Sequence, residues 1–514
     1  MKSTAKTVGI VMFITVFSRL LSLVSNMVYI AFFGIDIYMD IYSYSLQLPN
    51  IIFNSFGTAL VTVVIPIFAG YIATGEKDRA YRFANNITSL SVVFTMGLTL
   101  VGMAIAPLII SLTRFKFEGF EFAVSSLRIM FPVMIFYGLN YIFQGILQSM
   151  GRYNMPAFVS VPSSLIVIFY VIFLGKRFGV KGLLIATFIG LASQALILIP
   201  ALMRTEYRFR VSFDYRDEDI RYALRLIPPV LIGTSAYQLN MLFNTTLSAN
   251  FKDTVALLTT VQNLVLYAVL AFIYSITSVF FPKFTMLAAR DDMEGFKDNL
   301  MKVLKVVLFF LLPIATGFIA VRYQLIDFLY GWGKVTADNV SLASNMMALY
   351  SPGVIGIGIK EIVDRAFYSL KDTKRPAING VVIMLANIAS SLLLINFLGV
   401  LGIPAAYSIS TFVGALTILF MMRKKVGAFG GRILIYSTLK TAASSGIMLL
   451  AILPLTSVLK QFSFGHVFVD KGLKLAIPVI AGVVVYFAVA YLLKVDEAIE
   501  VVEKIKNKFG GTNA

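Results

Sequence analysis

The chain is 514 residues long, 58% hydrophobic and 14% charged, with a formal charge of +18 and a mean hydropathy of +0.85. Soluble domains carry about 25% charged residues, so this is the composition of a membrane protein. Cysteine is absent and histidine occurs once, at His466, which excludes disulfides, thiol nucleophiles, histidine-based triads and most transition-metal sites.

Apolar runs long enough to cross about 30 Å of hydrocarbon recur from end to end. They predict about fourteen spans. The first seven lie near 7–33, 41–71, 85–112, 123–148, 155–175, 180–202 and 222–249. The others lie near 254–285, 299–321, 342–369, 376–396, 401–422, 433–458 and 472–494. The first run follows Lys2 and Lys6 as a signal peptide would, but it is too long and lacks a small-residue cleavage site, so it reads as a retained helix. The intervening loops are mostly short. An intramembrane enzyme would need paired acids or a large catalytic loop, so no enzymatic activity, cofactor or metal is expected. Lysine and arginine sort by alternate loops, with "TGEKDRAYR", "MRTEYRFRVSFDYRDEDIRYALR", "SLKDTKR", "MMRKKVGAFGGR" and "KIKNK" on one side. That side holds about 26 basic residues against about 11 on the other, which makes it cytoplasmic and places both termini there. "GKRFGVKG" (175–182) is the main exception. Because the basic residues punctuate apolar runs instead of clustering on a soluble domain, no nucleic-acid partner is expected.

The two halves echo one another. Pro132, Gly138, Ser149, Pro156 and Ala157 recur as Pro352, Gly358, Ser369, Pro376 and Ala377 at one offset of about 220 positions. "FLG" (173–175) and "TFIG" (187–190) recur as "FLG" (397–399) and "TFVG" (411–414), about four positions later, an interval that a loop indel explains. An even number of helices per copy gives both copies one orientation, with a site between them. The expected fold is an all-α polytopic membrane protein. It comprises two six-helix lobes in parallel repeat, 1–205 and 206–428, and a segment 429–514 with the last two helices and a cytoplasmic tail.

One segment, "GIGIKEIVDRAFYSLKDTKRP" (356–376), places Lys360, Glu361, Asp364 and Arg365 at the cytoplasmic end of the tenth helix. Lys360 can reach Asp364 and Glu361 can reach Arg365, each at i,i+4. The cluster is either a self-neutralised anchor, since charges near helix ends snorkel at little cost, or a latch between lobes. Arg19 lies in the middle of the first span, where arginine costs about 2.5–3.5 kcal/mol on insertion scales. It is a candidate for forking onto a phosphate; the alternative is packing against helix-end carbonyls or Asp40. Arg128 is a further intramembrane charge without an assignable face. Asn26, Asn50, Asn54, Gln238, Asn240, Gln262 and Asn263 are individually helix-packing hydrogen bonders, yet on helices one, two, seven and eight they could together line a sugar-binding chamber.

"FLYGWGKVTADNVSLASNMMALYSPGVIGIGIKEIVDRAFYSLKDTKRP", "FSRLLSLVSNMVYIAFFGIDIYMDIYSYSLQLPN" (17–50) and "FPKF" (281–284) resemble the MurJ/MviN lipid II flippases of the MOP exporter superfamily. The resemblance covers most of the chain. It implies two lobes around a cavity that opens alternately to each side, and a groove for a lipid tail at the last two helices. It also implies a substrate, undecaprenyl-pyrophosphate-linked peptidoglycan precursor, moved to the outer leaflet of the bacterial cytoplasmic membrane. The implied partners are that lipid-linked glycan, membrane lipids and cell-wall synthesis proteins, with the chain itself a monomer. Asp40 matches an acidic position of the family. Where relatives carry further arginines, this chain has Ser25, Phe53 or Asn54, and Asn263, with Thr58 at an acidic position. The site is thus less cationic than the family pattern, and the alternative is a flippase for another undecaprenyl-linked oligosaccharide, of capsule or exopolysaccharide. A sodium site is implied for some members, but Asn387 and Ser391 come without the acid such a site needs.

Overall fold

The computed structural model describes residues 2–510; Met1 and 511–514, the two termini, lie outside the described residues. No strand occurs among the described residues, and the helices group into two units. One runs to Ala256 and takes in Gly333–Val335; the other comprises Leu257–Trp332 and the chain from Thr336 onward.

The first unit contains α1 (Lys2–Phe33), α2 (Ile37–Thr74), α3 (Lys77–Ser111), α4 (Phe120–Met130) and α5 (Val133–Ser149). Then follow α6 (Asn154–Phe158), α7 (Ser160–Phe169), α8 (Gly175–Leu196), α9 (Leu198–Met203) and α10 (Glu218–Ser248). Local chemistry sets the ends. The Asp36 side chain accepts from the Met39 N–H at 2.9 Å and starts α2, and Gly75 stops it with a left-handed φ of 82°. Asp217 starts α10 by accepting from the N–H groups of Asp219 and Ile220. The core is aromatic, with Tyr44, Phe53, Phe68, Phe83, Phe115 and Phe131 all buried. The α10 helix packs along α2 in this unit, and the Tyr44 and Thr246 hydroxyls meet at 3.3 Å. The boundary drawn at 205 from the sequence follows repeat symmetry, whereas this one at Ala256 follows packing.

The chain enters the second unit along α11 (Val255–Ala289), followed by α12 (Met293–Ala320), α13 (Arg322–Tyr330), α14 (Ala337–Tyr350) and α15 (Gly353–Ser369). The remaining helices are α16 (Lys374–Leu398), α17 (Gly402–Val426), α18 (Gly431–Leu459), α19 (Val467–Leu492) and α20 (Asp496–Gly510). Lys305 of α12 ties down the start of α20 through Asp496 at 2.5 Å and Glu497 at 3.3 Å.

The repeat is visible in the backbone of each unit. Pro132 and Pro352 are both N-caps of the second half of a broken span, and α5 and α15 both end at the matched serines, Ser149 and Ser369. The fourth and tenth predicted spans are therefore each two helices, because proline removes a backbone donor and crowds the preceding turn. The α14–α15 pair bends by 41°. The offset also holds further than the sequence reading has it. Gly179 and Gly399 both adopt positive φ, 59° and 58°, as only glycine does readily. Each opens a G-V-x-G stretch, 179–182 and 399–402. The four-residue shift thus falls after the turn, within the following helix, and not in the loop.

Among the described residues, ten helical stretches are long and apolar enough to cross a membrane, or eleven with the bent pair counted as one. Two of these are 50 and 53 residues long, far beyond one crossing at about 1.5 Å per residue. Each folds back on itself, α7 packing on α8 and α16 on α17.

Candidate functional site

In the first unit the singled-out polar residues divide by face. Arg19 is exposed and Asn26 half-buried, seven residues apart and so on one side of α1. A strip beside them packs: the Ser18 hydroxyl donates to the Ala157 carbonyl at 3.1 Å, and Ser22, one turn from both Arg19 and Asn26, meets Ser164 at 3.2 Å. On α2, Asn50 and Thr62 are exposed and Asn54 and Thr58 half-buried. Spaced by four, they make a continuous polar stripe in which Thr58 donates to the Asn54 carbonyl and Thr62 to the Thr58 carbonyl, each at 2.8 Å. Phe53 turns the opposite way, 1% exposed, into the core. On α10, Gln238 is half-buried. Asn240 is buried with Asn244, a residue the sequence reading passed over although its i,i+4 spacing from Asn240 was a usable signal. Both amide oxygens are buried without a hydrogen-bond partner. Arg128 is exposed, its Nε donating to the Met103 carbonyl at 3.1 Å.

Asp40 occupies a different environment. It is fully buried, with 0% exposure. Its Oδ2 accepts from the Thr254 N–H at 2.9 Å and its Oδ1 from the Ala256 N–H at 3.0 Å. These are donors at the start of α11, where the first turn of a helix has no intrahelical acceptors and carries a partial positive charge. A carboxylate lent by α2 satisfies both. Asp40 is therefore engaged by backbone and is neither a solvated helix-end acid nor open to a solute in this arrangement.

In the second unit, Gln262 is buried and Asn263 half-buried on α11. The tenth-helix charges pair differently from the spacing argument. Lys360 Nζ reaches Asp364 at 2.7 Å, as expected, and also Glu361 at 3.1 Å. Glu361 turns to the neighbouring ammonium, and no Glu361–Arg365 ion pair occurs among the described residues. One cation thus serves two acids in a shielded setting, the Asp364 side chain being 6% exposed. Asn387 and Ser391 are buried, and Asn387 Nδ2 lies 3.4 Å from the Ser410 hydroxyl. Among the described residues no cluster of three or more His, Asp or Glu could hold a metal ion.

The second unit also contains an apolar groove of about 660 Å³ walled by α12, α13, α18 and α19. Phe310, Phe318, Met448, Ile452, Val483 and Phe487 line it. The one polar side chain in its wall, Tyr486, spends its hydroxyl on the Phe309 carbonyl at 2.5 Å. Gly317 faces it across open space, where an added Cβ would meet nothing within 4 Å. An apolar void of this size in a membrane protein fits a hydrocarbon chain, since water gains no partners there.

A family model described as lipid II flippase MurJ matches residues 29–472. A probable lipid II flippase MurJ of Vibrio cholerae is 24% identical over 428 residues, 80% of this chain and 81% of that one. Another, of Bdellovibrio bacteriovorus, is 23% identical over 493 residues, 94% and 93% of the two chains. Among solved structures, a lipid II flippase MurJ in an inward closed conformation aligns with a TM-score of 0.77 at 22% identity, covering 95% of this chain and 99% of that one. An inward-facing multidrug resistance MATE transporter of the MOP superfamily aligns with a TM-score of 0.68 at 16% identity, covering 80% and 95%.

Proposed function

The chain belongs to the lipid II flippase MurJ family, and from that membership we propose that it moves undecaprenyl-pyrophosphate-linked peptidoglycan precursor across the bacterial cytoplasmic membrane by alternating access. The apolar groove carries this reading furthest, because a flippase for a polyprenyl lipid needs a dry surface for the tail as well as a polar path for the head. Hydrocarbon excludes an anionic sugar pyrophosphate. Arg19, Asn26 and the Asn50–Asn54–Thr58–Thr62 stripe supply accessible polar surface on helices that cross the membrane, with the half-buried Gln238 and Asn263 as further contributors. Arg19 forks onto a phosphate oxygen pair. Asp40 acts through the start of α11 instead of touching substrate, and the Lys360 cluster anchors α15 at mid-helix by neutralising its own charges.

The topology that goes with this is fourteen spans with both termini cytoplasmic. Dividing each of the two long helical stretches, counting the bent α14–α15 pair as one span and admitting α10 brings the eleven or so apolar candidates to that number. A second reading, another undecaprenyl-linked oligosaccharide, rests on Ser25, Phe53 or Asn54, and Asn263 standing where the resemblance implies arginines.

The test uses Gly317. In a cell depleted of its own lipid II flippase, the wild-type chain and Gly317→Ala restore growth, whereas Gly317→Phe reaches the membrane and does not, because the ring fills the groove. Growth with Gly317→Phe refutes the groove. Failure of the wild-type chain, expressed and inserted, refutes lipid II as substrate.

A further inference from the structure

The second unit has another cavity whose chemistry is unlike that of the groove. It measures about 500 Å³ and lies where α12 and α18 end. Arg322, Tyr323 and Gln324 of the first turn of α13 line it with Asn345 of α14, Ser457 of α18 and Lys460, the residue that caps α18. No carboxylate is among its lining residues. Arg322 donates from Nη1 to the Ile319 carbonyl at 3.0 Å, and Lys460 Nζ lies 5.4 Å from the centre of the Tyr323 ring. Neither cation forms a salt bridge to an acid among the described residues.

Two cations in one concave, acid-free pocket attract an anion, and the amide and hydroxyl donors around them suit one with several oxygens. The neighbouring groove says what such an anion would be attached to. Val321 and Leu325 of the α13 region and Ile452 of α18 face the groove, while Arg322–Gln324 and Leu453–Pro454, next in sequence, face the pocket. An amphiphile lying against this wall meets apolar surface along the span and cations at its end, the order of chain and headgroup in an anionic phospholipid. We propose that the pocket binds a phosphate group, from an anionic lipid headgroup or from the free ion. The site shares no residue with the accessible polar surface of α1 and α2, and it does not require that the transported substrate be lipid II.

The experiment uses the full chain in nanodiscs of equal parts phosphatidylglycerol and phosphatidylcholine, with native mass spectrometry counting the lipids retained. Wild type retains phosphatidylglycerol over phosphatidylcholine. The Arg322→Gln/Lys460→Gln variant loses that preference by on the order of tenfold, and Arg322→Lys, which keeps charge without the fork, falls between. Lys176→Gln/Arg177→Gln removes the same charge from two exposed cations of the first unit and retains phosphatidylglycerol as wild type does. Inorganic phosphate that displaces the lipid identifies the free ion as a ligand; failure to displace identifies the headgroup. Retention by the Arg322→Gln/Lys460→Gln variant, or equal loss in the Lys176→Gln/Arg177→Gln control, overturns the proposal. A melting temperature matched to wild type excludes misfolding as the cause of lost binding.

Discussion

Asp40 offers the sharpest perturbation, because its role is local and its partners are known. Replacing it with alanine leaves the N–H groups of Thr254 and Ala256, now at 2.9 and 3.0 Å from its oxygens, without acceptors in a buried site. Charge-assisted hydrogen bonds contribute about 1.5–3 kcal/mol each, and a buried donor left unpaired costs about 1–3 kcal/mol. The carboxylate's own desolvation offsets part of that. The net loss for Asp40→Ala is then about 2–5 kcal/mol. Asp40→Asn keeps one accepting oxygen but presents an amide donor to the other N–H, for roughly half the loss. At about 2–4 °C of melting temperature per kcal/mol, purified Asp40→Ala should melt about 4–20 °C below wild type. Hydrogen–deuterium exchange gives the specific readout: amides of 254–256 should exchange faster in both variants while distant helices keep their protection. Asp40→Asn that melts and exchanges like wild type yet fails to transport would place this carboxylate on the substrate path and refute the capping role.

Arg19→Cys, the only thiol in a chain without cysteine, should react with a small water-soluble thiol reagent. Arg19→Ala should abolish complementation and Arg19→Lys weaken it, with membrane levels unchanged. Lys360→Gln leaves Glu361 and Asp364 without their shared cation and should lower stability by about 1–3 kcal/mol, less than a fully buried pair would; adding Asp364→Asn should recover part of it in thermal melts. A Glu361→Arg/Arg365→Glu exchange should not restore function, because the lysine, and not Arg365, holds the glutamate. Asp372, in the turn between α15 and α16, is pushed up by burial but more than offset by hydrogen bonds and charge from Arg375 and by the charge of Lys425, so its carboxyl sits below the usual range. A lowered folded-state value stabilises above the unfolded value of about 3.9 and is lost as pH falls through the folded one. The melting temperature of Asp372→Asn should therefore fall less than that of wild type between pH 5 and pH 3.

The helices and the repeat were legible because hydropathy and proline leave direct traces in a sequence. Pro132 and Pro352 were visible as a pair, yet the breaks they cause looked like continuous apolar spans. The G-V-x-G turns at Gly179 and Gly399 were present too, masked by a stronger "FLG" match four residues out of step. Asp40 was visible as an unusual acid but its partners were not, because backbone N–H groups more than 200 positions away have no sequence signature. Glu361 went to the wrong partner for a related reason: helix spacing gives Cβ positions, while the long Lys360 side chain can bend to its immediate neighbour. The groove's place at the last two helices was legible only through the family resemblance, and its walls on α12 and α13 were not legible at all. Phe310, Ile452 and Phe487 look in sequence like core residues, and only their three-dimensional arrangement leaves space between them.

The central claim is that the chain moves lipid II to the outer leaflet, and outer-leaflet lipid II is measured directly by adding an impermeant enzyme that cleaves its headgroup to intact cells. In cells whose sole lipid II flippase is this chain, cleaved headgroup should appear at the level of the native flippase, and Gly317→Phe should reduce it to that of depleted cells. Cleavage no higher with the wild-type chain than in depleted cells, despite normal membrane insertion, would contradict the account.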